Sequence, residues 1–277
     1  MPQEDYRDLA ELVGAIGAPT FPSVLTAWIR SRVAFDMIAI VVYRGSRPPL
    51  HIHDDFKGEQ ARKGLKQYLA QTYILNPFYQ SHLKGIVSGV YRIRDLAPDD
   101  YLRSEVYRSY EIIISETEEI GYVTRGWPRG LEEIDIAVTL DDGETTEIGI
   151  YSAEPGSFDD AAIERLKGML PLIEASFRQH WQHIKARHAA ERHPADAGWA
   201  EAAYESFGSD LLTNREREVV VLVLRGHSSD SIAAHLDISR ATVKTHRKHA
   251  YERLAISTQA ELLSLFLQHV RERMPAG

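Results

Sequence analysis

Basic side chains recur on one side of a predicted helix near the end of the chain. Arg240, Lys244, Arg247, Lys248 and Tyr251 fall at positions i, i+4, i+7, i+8 and i+11, so they are expected to share one helix face. Arginine and lysine on such a face bind DNA phosphates, and side chains near the start of the helix contact base edges in the major groove. The spacing therefore predicts a DNA-contacting helix.

Two shorter helices are predicted before it. Thr213 and Glu216 have the capping-box spacing that begins a helix, and Gly226 is typical of a helix end. Ser228 or Ser229 begins the next helix. A short turn then separates this helix from the basic one, which is the arrangement of a helix-turn-helix.

The basic helix itself is expected to begin after Ser239 and to run to about Leu254. Val243, Ala250 and Leu254 lie at helical spacing and are predicted to face the core. A solvated basic face with no ligand is the alternative for a charge run alone, but the capped helix pair and the short turn favour DNA.

This stretch resembles the LuxR-type (NarL/FixJ-type) helix-turn-helix domain. The matching positions are Leu212, Thr213, Arg215, Glu216, Glu218, Gly226, Ser228, Ile232, Ala233, Leu236, Ile238, Ser239, Thr242, Val243, Lys244, His246 and Leu254. Ser229, Asp230, Ser231 and Gln259 depart from common family residues. The resemblance implies base and phosphate contacts from the basic helix. The predicted DNA-binding residues are Arg240, Thr242, Lys244, Thr245, His246, Arg247, Lys248 and Tyr251.

A fourth helix is predicted after a second capping box, formed by Thr258 and Glu261. Its apolar stripe consists of Leu262, Leu265, Phe266 and Val270. In LuxR-like proteins the corresponding helix joins two DNA-binding domains, so the resemblance implies a homodimer through these four residues. The alternative is that the stripe packs on the other helices of the same chain.

Charge is divided unevenly along the 277 residues. The net charge is −8, but residues 209–277 have a net charge of +2 and the remainder −10. The division favours one DNA-facing module and one that need not touch nucleic acid. The chain has no cysteine, no predicted signal peptide and no apolar run near 18 residues, so we expect a cytoplasmic protein with neither disulfides nor a membrane span.

The fold class predicted from periodicity is α+β. We expect an N-terminal α-β-α sensor domain over residues 1–187, a linker over 188–209, and an all-α four-helix helix-turn-helix domain over 210–277. The sensor resembles PAS and GAF domains, with a mostly antiparallel five-stranded sheet. Its strands are predicted at 36–44, 48–56, 119–127, 132–141 and 145–153. Its helices are predicted at 5–16, 21–34, 58–74, 101–110 and 159–187.

A tyrosine-rich segment in this domain suggests a ligand pocket. Residues 68–79 are similar to the signature of acyl-homoserine-lactone-binding domains, with Asn76 in place of the family's aspartate and Gly64 in place of a pocket tryptophan. The resemblance implies a small-molecule effector, and these two departures favour a molecule other than a lactone. The predicted effector-binding residues are Tyr68, Tyr73, Asn76, Tyr79, Tyr122 and Trp127. Packing of the tyrosines between helix and sheet is the alternative.

Other functions are less favoured by the sequence. His51, His53 and Asp55 alternate along one predicted strand and would suit a divalent metal, as would His180 and His183 one helical turn apart, but no metal site or cofactor is predicted. The chain has no nucleophile-elbow, dinucleotide, P-loop or zinc-protease motif, so no enzyme is predicted. We therefore predict a regulator that binds double-stranded DNA as a dimer under effector control. A phospho-regulated, ligand-independent or metal-responsive regulator remains the alternative.

Overall fold

The computed structural model describes residues 3–45, 47–70, 72–96, 112–114, 122–124, 131–189 and 199–273. Within these ranges the chain forms an α+β N-terminal part and an all-helical C-terminal part, which confirms the predicted fold class. No helix in the described ranges is long and apolar enough to cross a membrane.

A five-stranded antiparallel sheet organises the N-terminal part. Its strands are β1 (Met37–Arg44), β2 (Leu50–Asp54), β3 (Gly89–Arg92), β6 (Glu132–Thr139) and β7 (Glu144–Ser152), in the order β2-β1-β7-β6-β3. β6 and β7 are joined by a tight turn at Asp141–Gly143, where Asp142 has a φ of 60°. This turn confirms the predicted hairpin.

The fifth strand of the sheet differs from the prediction. We expected residues 119–127 in this sheet, but the edge strand is β3, and β5 (Tyr122–Thr124) pairs instead with β4 (Ile112–Ile114) in a separate two-stranded sheet. β3 has only four residues, which are too few to show the alternating pattern that identifies a strand in a sequence. Its place in the sheet is set by pairing with β6, which lies far away in the sequence. The predicted helix at 101–110 lies outside the described residues.

Apolar side chains cover one face of the sheet. Ile40, Ile136 and Ile148 point to this face, where α1 (Gln3–Gly14), α2 (Phe21–Arg30) and the long α6 (Asp160–Ala189) bury them. The residues of β1, β6 and β7 in this layer lie two positions apart along each strand, so a one-residue slip would turn the whole set to the opposite face of the sheet.

The opposite face of the sheet carries smaller and polar residues. It is covered by α3 (Glu59–Ala70), a 3₁₀ turn (Thr72–Leu75), α4 (Pro77–Leu83) and α5 (Ile93–Leu96). Asn76 caps α4: its Oδ1 accepts a hydrogen bond from the Phe78 N–H at 2.7 Å.

Five helices make up the C-terminal part. They are α7 (Trp199–Ser206), α8 (Asn214–Leu224), α9 (Ser229–Leu236), α10 (Arg240–Arg253) and α11 (Gln259–Arg273). Reciprocal hydrogen bonds confirm both predicted capping boxes, between Thr213 and Glu216 and between Thr258 and Glu261. Ser228 caps α9 through its side chain.

Candidate functional site

The α10 helix is fixed at its start and along its inner face. The Ser239 Oγ accepts a hydrogen bond from the Thr242 N–H at 3.0 Å, which satisfies one of the free donors at the helix N-terminus. Val243 and Ala250 are fully buried against α8 and α9. The helix is therefore held rigidly with its remaining faces free to meet a partner.

Basic and hydroxyl side chains occupy the outer face of α10. Lys244, Thr245 and Lys248 are exposed, whereas Thr242, His246 and Arg247 are half-buried at its flanks. Ion pairs here are loose, with Arg240 at 3.3 Å from Asp230 and Lys248 at 3.7 Å from Glu252. Exposed pairs of this kind contribute little stability, so DNA phosphates could replace them at small cost.

Tyr251 departs from the predicted face. Its side chain packs against the core of the C-terminal part, and its hydroxyl is buried without a hydrogen-bond partner among the described residues. Burial raises the pKa of Tyr251 to about 12. The prediction that Tyr251 shares the solvent face with Lys244 and Lys248 is wrong, because its aromatic ring packs against the core of the C-terminal part.

The predicted dimerisation stripe also needs correction. Leu262, Phe266 and Val270 are fully buried within one chain, and Leu265 is half-buried. The Phe266 ring contacts those of Tyr204 and Phe207, at centroid distances of 4.5 and 5.3 Å. The three buried side chains are thus occupied by α7 and its neighbours and are not free to join a second chain.

Two of the predicted effector residues meet in a buried hydrogen-bond network. The Asn76 Nδ2 donates to the Tyr68 hydroxyl at 2.8 Å, and that hydroxyl in turn contacts the Tyr43 hydroxyl. The Tyr43 hydroxyl donates to Glu147 Oε2 at 2.8 Å. Asn76 therefore caps α4 with its oxygen and connects α4 to the sheet with its nitrogen.

The remaining predicted effector residues lie elsewhere. Tyr73 and Tyr79 are fully buried and pack edge to face, with ring centroids 5.0 Å apart. Tyr122 belongs to β5, but its side chain lies outside the described residues, as does the whole of Trp127. The structure thus brings together Tyr68 and Asn76, and separately Tyr73 and Tyr79.

Three carboxylates come together on the face of the sheet opposite Ile136 and Ile148, and the sequence analysis did not predict them as a site. Oxygens of Glu133, Asp135 and Glu147 lie within 4.8 Å of one another. Asp135 is fully buried and Glu147 is 4% exposed. Burial raises the pKa of Glu147 to about 7, although hydrogen bonds from Tyr43 and Tyr68 oppose the shift.

A sequence signal for this cluster did exist. Glu133 and Asp135 are two residues apart, so they project from the same face of a strand, and Glu147 lies two residues before Gly149, which is paired with Asp135. Glu132 and Glu133 are adjacent on β6 and point to opposite faces, so only Glu133 belongs to this row.

The histidine rows are not assembled as metal sites in the described part of the chain. His51 pairs with Asp54 at 3.0 Å, and Asp55 pairs with Arg30 at 2.5 Å. His180 is buried, stacks on Phe21 and accepts the Gly17 N–H through Nδ1 at 3.0 Å. These contacts give His180 a structural role between α6 and the segment after α1.

Known proteins resemble both parts of the chain. Residues 210–266 match GerE, described as bacterial regulatory proteins, luxR family. A putative HTH-type transcriptional regulator in the exeN 3' region of Aeromonas salmonicida is 32% identical over 200 residues, which are 70% of this chain and 94% of that protein. The transcriptional regulatory protein MctR of Rhizobium johnstonii is 45% identical over 62 residues, which are 22% of this chain and 29% of that protein.

One solved structure shares the N-terminal fold. The VqsR LBD domain from Pseudomonas aeruginosa aligns with a TM-score of 0.50 at 18% identity, and the alignment covers 66% of this chain and 99% of that domain. At this identity the likeness concerns the fold alone.

Proposed function

This chain belongs to the luxR family of bacterial regulatory proteins, and on that premise we propose that its α10 helix binds DNA under the control of a small molecule held by the N-terminal domain. The chain is a transcriptional regulator, as its relatives are. The DNA-contacting residues proposed here are Arg240, Thr242, Lys244, Thr245, His246, Arg247 and Lys248.

One observation carries the DNA-binding part of the proposal. The helix is capped and buried on one side by Val243 and Ala250, and it presents Lys244, Thr245 and Lys248 to solvent on the other. A helix braced in this way can enter the major groove without rearrangement, with phosphate contacts fixing its register.

The domain division is proposed as residues 1–187, 188–209 and 210–277. The match to the luxR family over residues 210–266 supports the last boundary, and the end of α6 at Ala189 is close to the first. Part of the intervening segment is helical, since α7 spans Trp199–Ser206. Limited proteolysis is expected to cut first between the end of α6 and the start of α8.

A contact between the two parts offers a route for the effector signal. The Tyr204 hydroxyl on α7 donates to the Ile74 carbonyl at 3.2 Å, and Ile74 precedes the capping residue Asn76 by two positions. The same tyrosine ring stacks under the Arg225 guanidinium, 4.8 Å from the ring centroid. A ligand that moves the 3₁₀ turn would shift α7 and so bias the placement of α8 to α11.

Selection from a random duplex library tests the DNA-binding proposal. The full chain is expected to enrich a defined motif, and Lys244→Ala combined with Lys248→Ala is expected to abolish the enrichment. Lys167→Ala is the matched control, because Lys167 is also an exposed helical lysine in an ion pair, with Glu164 at 2.8 Å. Equal enrichment by the double variant and the control would overturn the assignment to α10.

A further inference from the structure

The first turn of α8 contacts the turn that leads into α10. The Arg215 Nη2 donates a hydrogen bond at 2.7 Å to the carbonyl of Leu236, the last residue of α9. Asp237 and Ile238 alone separate Leu236 from Ser239, the residue that caps α10. Arg215 therefore lies beside the turn of the helix-turn-helix.

The end of α9 needs a donor of this kind. The last four carbonyls of an α-helix have no donor within the helix, and a cationic side chain placed there also interacts favourably with the helix dipole. Asp237, which follows α9, has a φ of 53°, in the left-handed region that residues with a side chain adopt at a cost. Arg215 thus supplies a contact from another helix to a turn that is strained by itself.

The Arg215 guanidinium is held in place by an acid of its own helix. Its Nη1 donates to the Glu218 Oε2 at 2.7 Å, one turn further along α8. Because the guanidinium is planar and rigid, the two contacts together fix its direction. The ion pair is largely exposed and contributes little stability, so its effect is on the position of the group.

The next residue of α8 contacts the other end of α10. Glu216 is buried, and its Oε2 lies 3.4 Å from the Nη1 of Arg253, the last residue of α10. The same Arg253 nitrogen donates to the Leu211 carbonyl at 3.3 Å. Residues at the start of α8 therefore contact the turn before α10 and the last turn of α10.

We propose that Arg215 is a positioning residue, which sets the direction in which α10 enters the major groove and does not contact DNA itself. The proposal rests on the proposed binding of DNA by α10, and it adds a residue of another helix that determines sequence discrimination.

Sequence discrimination depends on helix position more than overall attraction does. Hydrogen bonds to base edges require a close distance and a favourable angle, so a small rotation of α10 breaks them. Attraction between lysine and phosphate charges changes slowly with distance and carries no sequence information. Loss of the Arg215 contacts is therefore expected to reduce the preference for the selected sequence and to leave the affinity for other DNA almost unchanged.

Fluorescence anisotropy of the full chain tests this, with the selected duplex and a scrambled duplex of the same base composition. The ratio of the two dissociation constants measures discrimination. Arg215→Ala is expected to lower this ratio by about tenfold or more, through the loss of base contacts. Its affinity for the scrambled duplex and its salt slope are expected to remain those of the wild-type chain. Arg215→Lys keeps the charge but not the fork, so it is expected to lower the ratio as well.

Two variants of the same helix are controls that are expected to keep the wild-type ratio. Arg217 is also a half-buried arginine of α8, but its side chain has no hydrogen bond or ion pair among the described residues, so Arg217→Ala is the matched control. Thr213→Ala weakens the start of α8 and leaves Arg215 in place, so it separates positioning from stability. If Arg215→Ala does not fold, Arg215→Lys is compared with the same controls.

Three results would overturn the positioning role. They are an unchanged ratio in the Arg215 variants, an equal loss in Arg217→Ala or Thr213→Ala, and a salt slope that becomes shallower in Arg215→Ala by about 0.9, which would indicate a phosphate contact. The proposed function fails in a different way, because Lys244→Ala combined with Lys248→Ala would then bind the selected duplex as tightly as the wild-type chain.

Discussion

At the scale of single residues, Asn76 and Glu147 show how one side chain can serve both the fold and a site. Asn76 caps α4 with one atom and donates to Tyr68 with the other. The family's aspartate could perform the first task but not the second, because a carboxylate has no donor. With an acid already at Glu147, a neutral amide at position 76 avoids a further buried negative charge.

The raised pKa of Glu147 predicts a pH dependence of stability. Its pKa of about 7 in the folded chain exceeds its value in the unfolded chain, so its contribution to the free energy of unfolding is fully present below about pH 4.5 and is lost as the pH rises through 7. Tyr43 and Tyr68 face this group, together with Glu133, Asp135 and Tyr151.

Glu147→Gln is therefore expected to flatten the fall in stability between pH 5 and 8 by up to about 3 kcal/mol. Urea unfolding at a series of pH values measures it, with Glu132→Gln as the control that should keep the wild-type slope. A Glu147→Gln slope equal to that of the wild-type chain would show that the carboxyl titrates normally.

At the scale of elements, helix starts were predictable because they depend on local hydrogen bonds. Thr213 and Glu216 specify the start of α8 by themselves, and the structure confirms the reciprocal bonds. The membership of β3 in the sheet and the burial of Phe266 under Tyr204 could not be predicted in this way. Both depend on partners more than 40 residues away in sequence.

The capping box of α8 gives a stability prediction. Thr213→Ala is expected to lower the free energy of unfolding by about 1 kcal/mol, because the Glu216 N–H loses its acceptor. Thr245→Ala, at an exposed position within α10, should change it by less than about 0.5 kcal/mol. Chemical denaturation compares the two variants, and equal effects would mean that the cap contributes nothing specific.

Substitutions in α11 test whether its apolar residues stabilise one chain or join two chains. Phe266→Ala is expected to lower the free energy of unfolding by about 3 to 5 kcal/mol at every protein concentration, because a fully buried ring is removed from the core of one chain. Leu265→Ala, at the half-buried edge of the helix, should cost less. If Phe266→Ala instead dissociated a dimer into stable folded monomers in sedimentation experiments, the stripe would be intermolecular after all.

At the scale of the whole molecule, the change in net charge along the chain falls where the fold divides into its two parts. The part with net charge +2 carries the exposed lysines of α10, and the part with net charge −10 carries the buried acids of the sheet. A DNA-binding unit with so little excess positive charge is expected to bind weakly and in a salt-dependent way as a single copy, and we propose that two copies pair on DNA. We propose that the effector acts on that pairing through α7.

The salt dependence of DNA affinity tests this account most directly. Fluorescence anisotropy with the selected duplex gives the slope of log affinity against log salt concentration, to which each phosphate contact contributes about −0.9. Lys244→Ala combined with Lys248→Ala is expected to make the slope shallower by about 2 per chain, while Lys167→Ala leaves it unchanged. A double variant with the wild-type slope and affinity would contradict the assignment of α10 as the DNA-binding helix.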